Sequence, residues 1–471
     1  MATSNKNSVE IPVQSLYAKH EKIYPKQAHG RFANLRIAST LCLLGLFYGV
    51  PVLRWEGQQA ILFDLPERKF HLFGLTLWPQ DFIYLAALLI LAGLCLFFFT
   101  ALAGRIWCGY ACPQTAWTEA FIWMERKIEG TRAQQMKLDG SSFSMRKLRI
   151  KATKHIAWIS FSFWTGFTFV SYFTAVDELA TNMINLQLGP WETFWIFFYG
   201  FATYGNAGWM REQVCKYMCP YARFQSAMFD SDTLIIDYDV ERGEPRGSRK
   251  RGADQVALGI GDCVDCTLCV QVCPTGIDIR DGLQYECIAC SACIDACDDV
   301  MDKVGYERGL IRYTTENAKQ SLSIEEGKSV RIMRPRIIVY ATILVFITSM
   351  LVLDLSQRVA LDLDVIRDRN ILYRETDEGL IENVYRLKIL NMDSASHQYT
   401  LRVDGIDGLA LHKDQKMIEV ASGVVSELVV RVQINEANLT QRSNSIYFHL
   451  QAKDLNHLSA TEEARFLGPR N

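Results

Sequence analysis

Long apolar runs, each about as long as a bilayer is thick, constrain the fold of this chain more than any other feature of its sequence. Residues 82–103 and 156–176 contain no charged side chain, and both reach the roughly 20 residues that a helix needs to cross the hydrocarbon core. Residues 191–210 have a similar length, whereas residues 37–53 and 337–353 are shorter and need flanking residues to reach the interfaces. The sequence therefore predicts a membrane α-helical protein with five transmembrane helices.

The placement of Lys and Arg between these runs predicts their orientation. Six basic residues lie in residues 1–36 and ten in residues 104–155, whereas residues 177–190 contain none and residues 54–81 contain three. Because loops rich in Lys and Arg stay in the cytoplasm, we expect the amino terminus inside and the carboxy-terminal region outside. Residues 1–36 have no apolar core of their own, so we interpret the first span as an uncleaved anchor.

Twelve of the fourteen cysteines fall in segments that this orientation places in the cytoplasm. In a reducing compartment, clustered cysteines indicate metal or redox sites rather than disulfides. The stretches CVDCTLCVQVCP and CIACSACIDACD both have the spacing CxxCxxCxxxC. This spacing is typical of modules that bind two 4Fe–4S clusters, in which the fourth cysteine of each motif binds the neighbouring cluster. The predicted ligands are Cys263, Cys266, Cys269 and Cys297 for one cluster and Cys273, Cys287, Cys290 and Cys293 for the other.

A pair of zinc sites is the alternative interpretation of these eight cysteines. Zinc motifs rarely place three cysteines so densely, and this chain does so twice. The surrounding loops are short, and a module of about 50 residues is too small to rely on a hydrophobic core. We therefore expect a cytoplasmic ferredoxin-like module that its clusters hold together.

Two further cysteine pairs, each followed by proline, come after the second and fourth predicted spans. Cys108 and Cys112 lie in WCGYACPQ, and Cys215 and Cys219 lie in EQVCKYMCPY. Residues four apart on a helix are about 5 to 6 Å from each other, which is too far for a disulfide within either pair. Proline after the second cysteine predicts a new helix with that cysteine at its N-cap, where the helix dipole favours the thiolate form.

The two CxxxCP motifs predict an internal parallel repeat, each copy consisting of a span, a motif and a surface helix. Both motifs reach the cytoplasmic side in the predicted orientation. Four thiolates brought together form a soft sulfur site that suits Cu(I). The alternative is that these cysteines are small residues that pack at helix ends. His155 opens the third predicted span, and we interpret it as an interfacial histidine rather than a metal ligand.

The segment after the last predicted span has a different pattern. VYRLKIL, QYTLRV, SELVVRVQI and SIYFHLQA alternate apolar and polar residues, which is typical of strands with one buried face. Turn residues separate them over roughly 100 residues, so we expect an immunoglobulin-like β-sandwich. We expect five segments: residues 1–36, cytoplasmic; 37–230, a four-helix membrane domain with both CxxxCP motifs; 231–335, the cytoplasmic segment with the ferredoxin-like module at about 255–305; 336–353, the fifth span; and 354–471, the outer sandwich.

The chain resembles the cytochrome c oxidase accessory proteins of the CcoG/FixG/RdxA type, which are bacterial membrane polyferredoxins. Besides the cysteine motifs, the resemblance rests on WPQDF, WMERKIEG, YARFQSAMFD, YDVERGEPRG and GLIRYTTEN, in that order along the chain. It covers nearly the whole length, and no cysteine position departs from the family pattern. The resemblance implies a multi-pass protein of the bacterial inner membrane.

The resemblance also implies a role in assembling a cbb-type haem-copper oxidase by reducing Cu(II) to Cu(I). The ferredoxin clusters would relay electrons, and the thiols of Cys108, Cys112, Cys215 and Cys219 would bind or reduce copper. The implied partners are oxidase subunits, copper-delivery proteins, an unidentified electron donor and a possible second copy of the chain. The formal net charge of −2 gives no indication of a nucleic-acid partner.

Two other functions fit the same sequence. One is an electron-transfer subunit that links a quinol or another donor to a reductase, as in related polyferredoxins with two CxxxCP motifs. The other is an assembly scaffold that recruits oxidase subunits through its outer domain.

Overall fold

The computed structural model of this chain consists of two compact units, Met1–Ile347 and Thr348–Asn471. It describes residues 22–55, 57–249, 258–322, 333–369, 371–393, 395–412, 417–439, 441–455 and 457–469. Most of the predicted amino-terminal segment and the start of the predicted ferredoxin module therefore lie outside the described residues.

Three helical segments among the described residues are long and apolar enough to cross a membrane: Arg31–Val52, Pro79–Ala103 and Pro335–Gln357. They contain the first, second and fifth predicted spans. Few of their side chains are buried inside the protein. Apolar side chains left on the surface in this way suit a lipid environment.

The third and fourth predicted spans also form helices, Met145–Val170 and Pro190–Thr203, the latter continued by a π-helix at Tyr204–Met210. The predicted end of the third span at Val176 is wrong, because the helix stops at Val170. The side chain of Gln59 holds the turn that follows: its amide donates to the Ser171 carbonyl at 2.7 Å, and its oxygen accepts from the Val176 N–H at 3.0 Å. The count of five spans and their orientation remain predictions.

The internal repeat has the predicted order of elements. In the first copy, helix Phe82–Ala103 leads to the short helix Ile106–Tyr110 and then to the first motif helix, Pro113–Glu129. In the second copy, a π-helix at Val214–Met218 precedes the second motif helix, Pro220–Met228. A hydrogen bond of 2.6 Å between the hydroxyls of Thr100 and Tyr221 joins the two copies.

The ferredoxin-like module is closed by two short strands. Ile235–Tyr238 and Ile311–Thr314 pair antiparallel, with Ile235 opposite Thr314. Between them lie the helices Leu268–Gln271 and Ala292–Val304, which carry part of the two cysteine motifs. The other elements of this unit are the helices Arg132–Gly140, Val176–Ile184, Val240–Gly243 and Glu316–Leu322 and the strands Arg54–Trp55, Gln58–Gln59, Ile61–Asp64, Lys69–Leu72 and Leu75–Leu77.

The second unit consists of two antiparallel sheets, and the four predicted strands lie within its longest strands. Alternate side chains of these strands, among them Tyr385, Tyr399, Phe448 and Phe466, are fully buried in one core. One sheet contains Leu361–Arg367, Arg374–Glu375, Leu380–Asn391, Ala410–Leu411 and Val425–Asn435, and the other contains His397–Asp404, Met417–Val420, Ser443–Ala452 and Ser459–Leu467.

Candidate functional site

The two ferredoxin motifs fold around two neighbouring cavities. The side chains of Tyr238 and Arg280 line the first cavity together with four cysteines. The second is lined by another four cysteines and by Cys269. Cys269 reaches both cavities, so they are adjacent. The lining cysteines are those predicted to act together: Cys263, Cys266, Cys269 and Cys297 around the first cavity, and Cys273, Cys287, Cys290 and Cys293 around the second.

The backbone of the two cysteine loops is bent in the same way at matching positions. Asp265 and Thr267 flank the second cysteine of the first motif, and Ala289 and Ser291 flank that of the second motif. All four have positive φ, between 49° and 60°, a backbone conformation that residues other than glycine rarely adopt. Alternation of right- and left-handed residues turns successive N–H groups into a concavity that binds anions, as in many Fe–S sites. Both loops are therefore shaped for a negatively charged group.

The chemistry of the cysteines fits an iron–sulfur cofactor. Burial raises the pKa of Cys287 and Cys297 to about 12, so as free thiols they would keep their protons at neutral pH. Metal coordination deprotonates a thiol, and iron supplies the positive charge that buried sulfurs need. In the part of the chain that the structure describes, no three His, Cys, Asp or Glu side chains converge on a single metal ion. A 4Fe–4S cube is bound at four separate corners and needs no such convergence.

Both CxxxCP motifs have the predicted N-cap geometry. Cys112 and Cys219 have extended backbones, with ψ of 129° and 112°, and the motif helices begin at Pro113 and Pro220. Proline is tolerated there because the first N–H of a helix has no partner within the helix. All fourteen cysteines of the chain are free, so neither motif contains a disulfide.

The four motif thiols lie near enough to interact electrostatically, although no three of them converge on a single metal ion. Burial, together with the nearby thiols of Cys112, Cys108 and Cys219, raises the pKa of Cys215 to about 12. Burial likewise raises the pKa of Cys108 to about 11. The Cys108 sulfur and the side-chain amide nitrogen of Gln225 are 3.4 Å apart, a distance at which the amide donates a hydrogen bond to sulfur.

The first CxxxCP motif lies directly against the second ferredoxin loop. A Cβ atom on Gly109 would come within 2.8 Å of the Ile288 carbonyl oxygen and 2.9 Å of the Ala289 carbonyl oxygen, so only glycine fits there. The Arg105 guanidinium donates to the carbonyls of Tyr285 and Ala222, which ties this loop to both motifs. The thiol site and the second cavity are therefore neighbours.

Comparison with known families agrees with this arrangement. Residues 210–316 match the family described as a 4Fe-4S dicluster domain, and residues 85–130 match the family described as a 4Fe-4S binding domain. Residues 351–469 match the family described as an IG-like fold at the C-terminal of FixG. The nitrogen fixation protein FixG of Rhizobium meliloti is 40% identical over 83% of this chain and 80% of its own length. The chain belongs to the FixG/RdxA family.

Two further relatives extend the comparison. Protein RdxA of Cereibacter sphaeroides is 40% identical over 84% of this FixG/RdxA-family chain and 85% of its own length. The ferredoxin-type protein NapH of Haemophilus influenzae is 22% identical over 58% of this chain and 89% of its own length. The chain is thus an iron–sulfur electron-transfer protein of the oxidase accessory family with an immunoglobulin-like carboxy-terminal domain.

The structure also reveals site residues that the sequence patterns did not indicate. Arg211 separates the two π-helices and has a positive φ of 39°, a strained backbone of the kind that clusters at functional sites. Its guanidinium donates to the buried carboxylate of Glu125 at 2.7 Å. Gly205 and Gly208 interrupt the apolar run before Arg211 and were the only local sign of irregular helix.

Proposed function

We propose that this FixG/RdxA-family protein assists the assembly of cbb-type cytochrome c oxidase by reducing Cu(II) to Cu(I) at its CxxxCP thiols. The observation that supports this function is the gathering of Cys108, Cys112, Cys215 and Cys219 against the second ferredoxin loop. Electrons that reach this loop have only a short distance to travel to the thiols. Oxidase subunits and copper-delivery proteins are the proposed partners.

The eight ferredoxin cysteines are the proposed ligands of two 4Fe–4S clusters, which when bound supply electrons one at a time. The motif thiols bind the copper substrate, and each Cu(II) takes up one electron to become Cu(I). Soft thiolate ligands favour Cu(I), so binding draws the reduction forward. The hydrogen bond from Gln225 stabilises the thiolate of Cys108, and Arg105 supplies nearby positive charge.

The proposed topology has five spans with the amino terminus, both motifs and the ferredoxin-like module in the cytoplasm. The sandwich then lies in the periplasm. Three apolar helices and the basic loops between residues 104 and 155 support this arrangement.

Anaerobic copper titration of the purified full-length protein tests the function. The protein is reduced with dithionite, freed of excess reductant and mixed with Cu(II), and a Cu(I)-specific chelator reports the product. We expect the wild type to form Cu(I) stoichiometrically and the double variant Cys215→Ser/Cys219→Ser to form almost none.

The matched control is the double variant Cys42→Ser/Cys95→Ser, whose cysteines lie within predicted spans. It should reduce copper like the wild type, and all three proteins should contain equal amounts of iron. Equal Cu(I) formation by the Cys215/Cys219 variant would show that these thiols are not the reducing site. Oxidase assembly restored by a variant without cluster cysteines would favour the scaffold function instead.

An iron–sulfur group at the motif thiols is a second candidate, because residues 85–130 match a 4Fe-4S binding family yet contain none of the eight ferredoxin cysteines. Iron analysis separates the two. Two clusters require about eight iron atoms per chain, and a third cluster would raise that to about twelve. If the motif thiols bind copper and not a cluster, the Cys108→Ser/Cys112→Ser variant keeps the iron content of the wild type.

A further inference from the structure

A large cavity lies beside the thiol site and has no role in the function proposed above. Its volume is about 380 Å³, within the size range of ligand pockets. Four parts of the first unit form it: the segment that follows residue 21, the helix Arg132–Gly140, the start of helix Met145–Val170 and the π-helix Tyr204–Met210 with the two residues after it.

Aromatic rings form one wall of this cavity. The His155 imidazole stacks on the Trp209 indole, with ring centroids 5.9 Å apart and planes inclined by 19°. The Trp158 ring meets His155 edge-on at 5.4 Å. Nδ1 of His155 shares a hydrogen bond of 2.9 Å with the Tyr204 hydroxyl, while among the described residues Nε2 has no hydrogen-bond partner. The wall thus offers a flat surface and one imidazole nitrogen to a ring that carries a hydroxyl or carbonyl group.

The basic side chains around the cavity are neutralised by carboxylates. Lys151 Nζ is 2.8 Å from Glu129 and 2.5 Å from Asp139, and Lys154 Nζ is 2.8 Å from Glu129. Burial opposes ionisation of Glu125, but Arg211, Lys22 and Lys154 outweigh it and lower its pKa to about 2.

A phosphate-bearing donor such as a nicotinamide dinucleotide would therefore meet ionised carboxylates beside every cation. A neutral aromatic ligand avoids this repulsion, since it needs hydrogen bonds and stacking but no free positive charge.

The position of the cavity connects it to the thiol site. Ile23, Arg211 and Glu212 line both this cavity and a much smaller one, which Cys215 and Thr275 also line. Thr275 is two residues from the predicted cluster ligand Cys273. A ligand in the larger cavity is thus one shared wall away from a motif thiol and the ferredoxin loop.

Two exposed apolar side chains lie at or near the cavity. Trp209, in its wall, is 61% exposed, and Ile159, one helical turn after His155 on the same helix, is 53% exposed. Exposed apolar side chains of this kind suit a ligand that arrives from lipid.

We propose that this cavity binds the ring of a membrane hydroquinone, with the imidazole of His155 as its hydrogen-bond partner and Trp209 as its stacking surface. Oxidation of the hydroquinone to quinone releases two electrons and two protons. The iron–sulfur centres accept the electrons one each, and water accepts the protons. The inference rests on the proposed function in one respect: it takes the clusters to be the electron acceptors.

Isothermal titration calorimetry of the full-length holoprotein tests the binding with decyl-substituted benzoquinone, a short-chain probe. We expect His155→Phe, which keeps an aromatic ring but loses the hydrogen bond, and Trp209→Ala each to weaken binding about tenfold or more. Trp123→Ala is the matched control, because Trp123 is exposed on the first motif helix and does not line the cavity. Equal affinity of all four proteins would overturn the proposal, and so would binding of NADH that is sensitive to the same substitutions.

Cluster absorbance and thermal melting establish that the variants are folded and loaded. Anaerobic mixing with decyl benzohydroquinone or with dithionite then separates the two proposals. Clusters that dithionite reduces but the hydroquinone leaves oxidised, in a protein that still reduces copper, would refute only the hydroquinone site. Hydroquinone oxidation that depends on His155 but yields no Cu(I) would refute only the copper function.

Discussion

Individual residues decide how closely the two redox sites approach each other. Gly109 lets the first CxxxCP motif lie against the carbonyls of Ile288 and Ala289, and four residues of the ferredoxin loops have positive φ. Both features fix the position of a backbone rather than of a flexible side chain. Electron transfer between neighbouring centres requires that the distance between them be held constant.

A single histidine gives the carboxy-terminal sandwich a dependence on pH. His397 is buried between two carboxylates, with Nδ1 2.7 Å from Asp454 and Nε2 2.7 Å from Asp393. Burial opposes protonation, but the hydrogen bonds to Asp454 and Asp393 outweigh it and raise the pKa of His397. The stabilisation is fully present below the unfolded-state pKa of about 6.5 and is lost as pH rises through the higher folded-state value.

Hydrogen exchange of the strand His397–Asp404, corrected for intrinsic rates, checks this expectation. Protection should be greater at about pH 6 than at about pH 8.5, and His397→Gln should abolish the difference. His449→Gln is the control, because His449 is half-exposed and loses only contacts near the surface, with Asp404 and with the Thr461 hydroxyl. A wild-type strand whose protection is unchanged between the two pH values would contradict the role of His397.

At the scale of elements, one carboxylate joins the first apolar helix to the ferredoxin-like module. Asp295, in helix Ala292–Val304, accepts hydrogen bonds from the N–H groups of Phe32 at 3.2 Å and Ala33 at 2.6 Å. These are two of the first N–H groups of helix Arg31–Gly49, which have no partner within their own helix. A residue between two predicted cluster ligands thus caps a membrane helix.

Asp295→Ala should destabilise this contact by about 1 kcal/mol, the usual cost of losing an N-cap. Hydrogen exchange at Phe32 and Ala33 should then become about fivefold faster, while the cluster absorbance stays constant. Asp299→Ala provides the comparison, since Asp299 is exposed on the same helix and only pairs with Lys303. Equal hydrogen-exchange rates at Phe32 and Ala33 in the two variants would show that Asp295 does not stabilise the start of helix Arg31–Gly49.

Elements whose signals are local could be predicted from the sequence. The Cys-Pro order predicted the starts of both motif helices at Pro113 and Pro220, and alternation of side chains predicted four strands of the sandwich but not Ser459–Leu467. The end of the third helix was misplaced because the group that stops it, Gln59, is more than a hundred residues away in sequence. A hydrogen bond between two distant segments does not change the periodicity of apolar residues in either one, so sequence patterns do not predict it.

At the scale of the whole molecule, the two units differ in what stabilises them. The sandwich has a core of aliphatic and aromatic side chains, whereas the core of the ferredoxin-like module includes buried cysteines that line two cavities. Removal of iron with a chelator under anaerobic conditions should therefore unfold the module and leave the sandwich intact, since cluster binding is coupled to folding.

Hydrogen exchange before and after chelation distinguishes the two units. Strand Ile311–Thr314 should lose its protection, and strand Ser443–Ala452, far along the chain in the other unit, should keep it. A module that stays protected without iron would mean that its few buried apolar residues suffice for folding.

The meeting of the four motif thiols is a property of the whole first unit, so no single motif contained it. Each CxxxCP sequence indicated a helix start with a cysteine at its N-cap. The approach of the two motifs depends on contacts such as that between Thr100 and Tyr221, which involve residues far apart in the chain. The cavity beside them depends on the π-helices, which no periodicity of the sequence predicts.

The pairing of Ile235–Tyr238 with Ile311–Thr314 has an evolutionary consequence. The chain enters and leaves the ferredoxin-like module at adjacent points, as expected of a cassette inserted into a loop. Such a cassette can be exchanged without altering the spacing of the helices on either side. Recombination in nature, or grafting in the laboratory, could thus join the same flanking helices to a different electron carrier, provided that the two ends of the replacement lie as close to each other as Ile235 and Thr314 do.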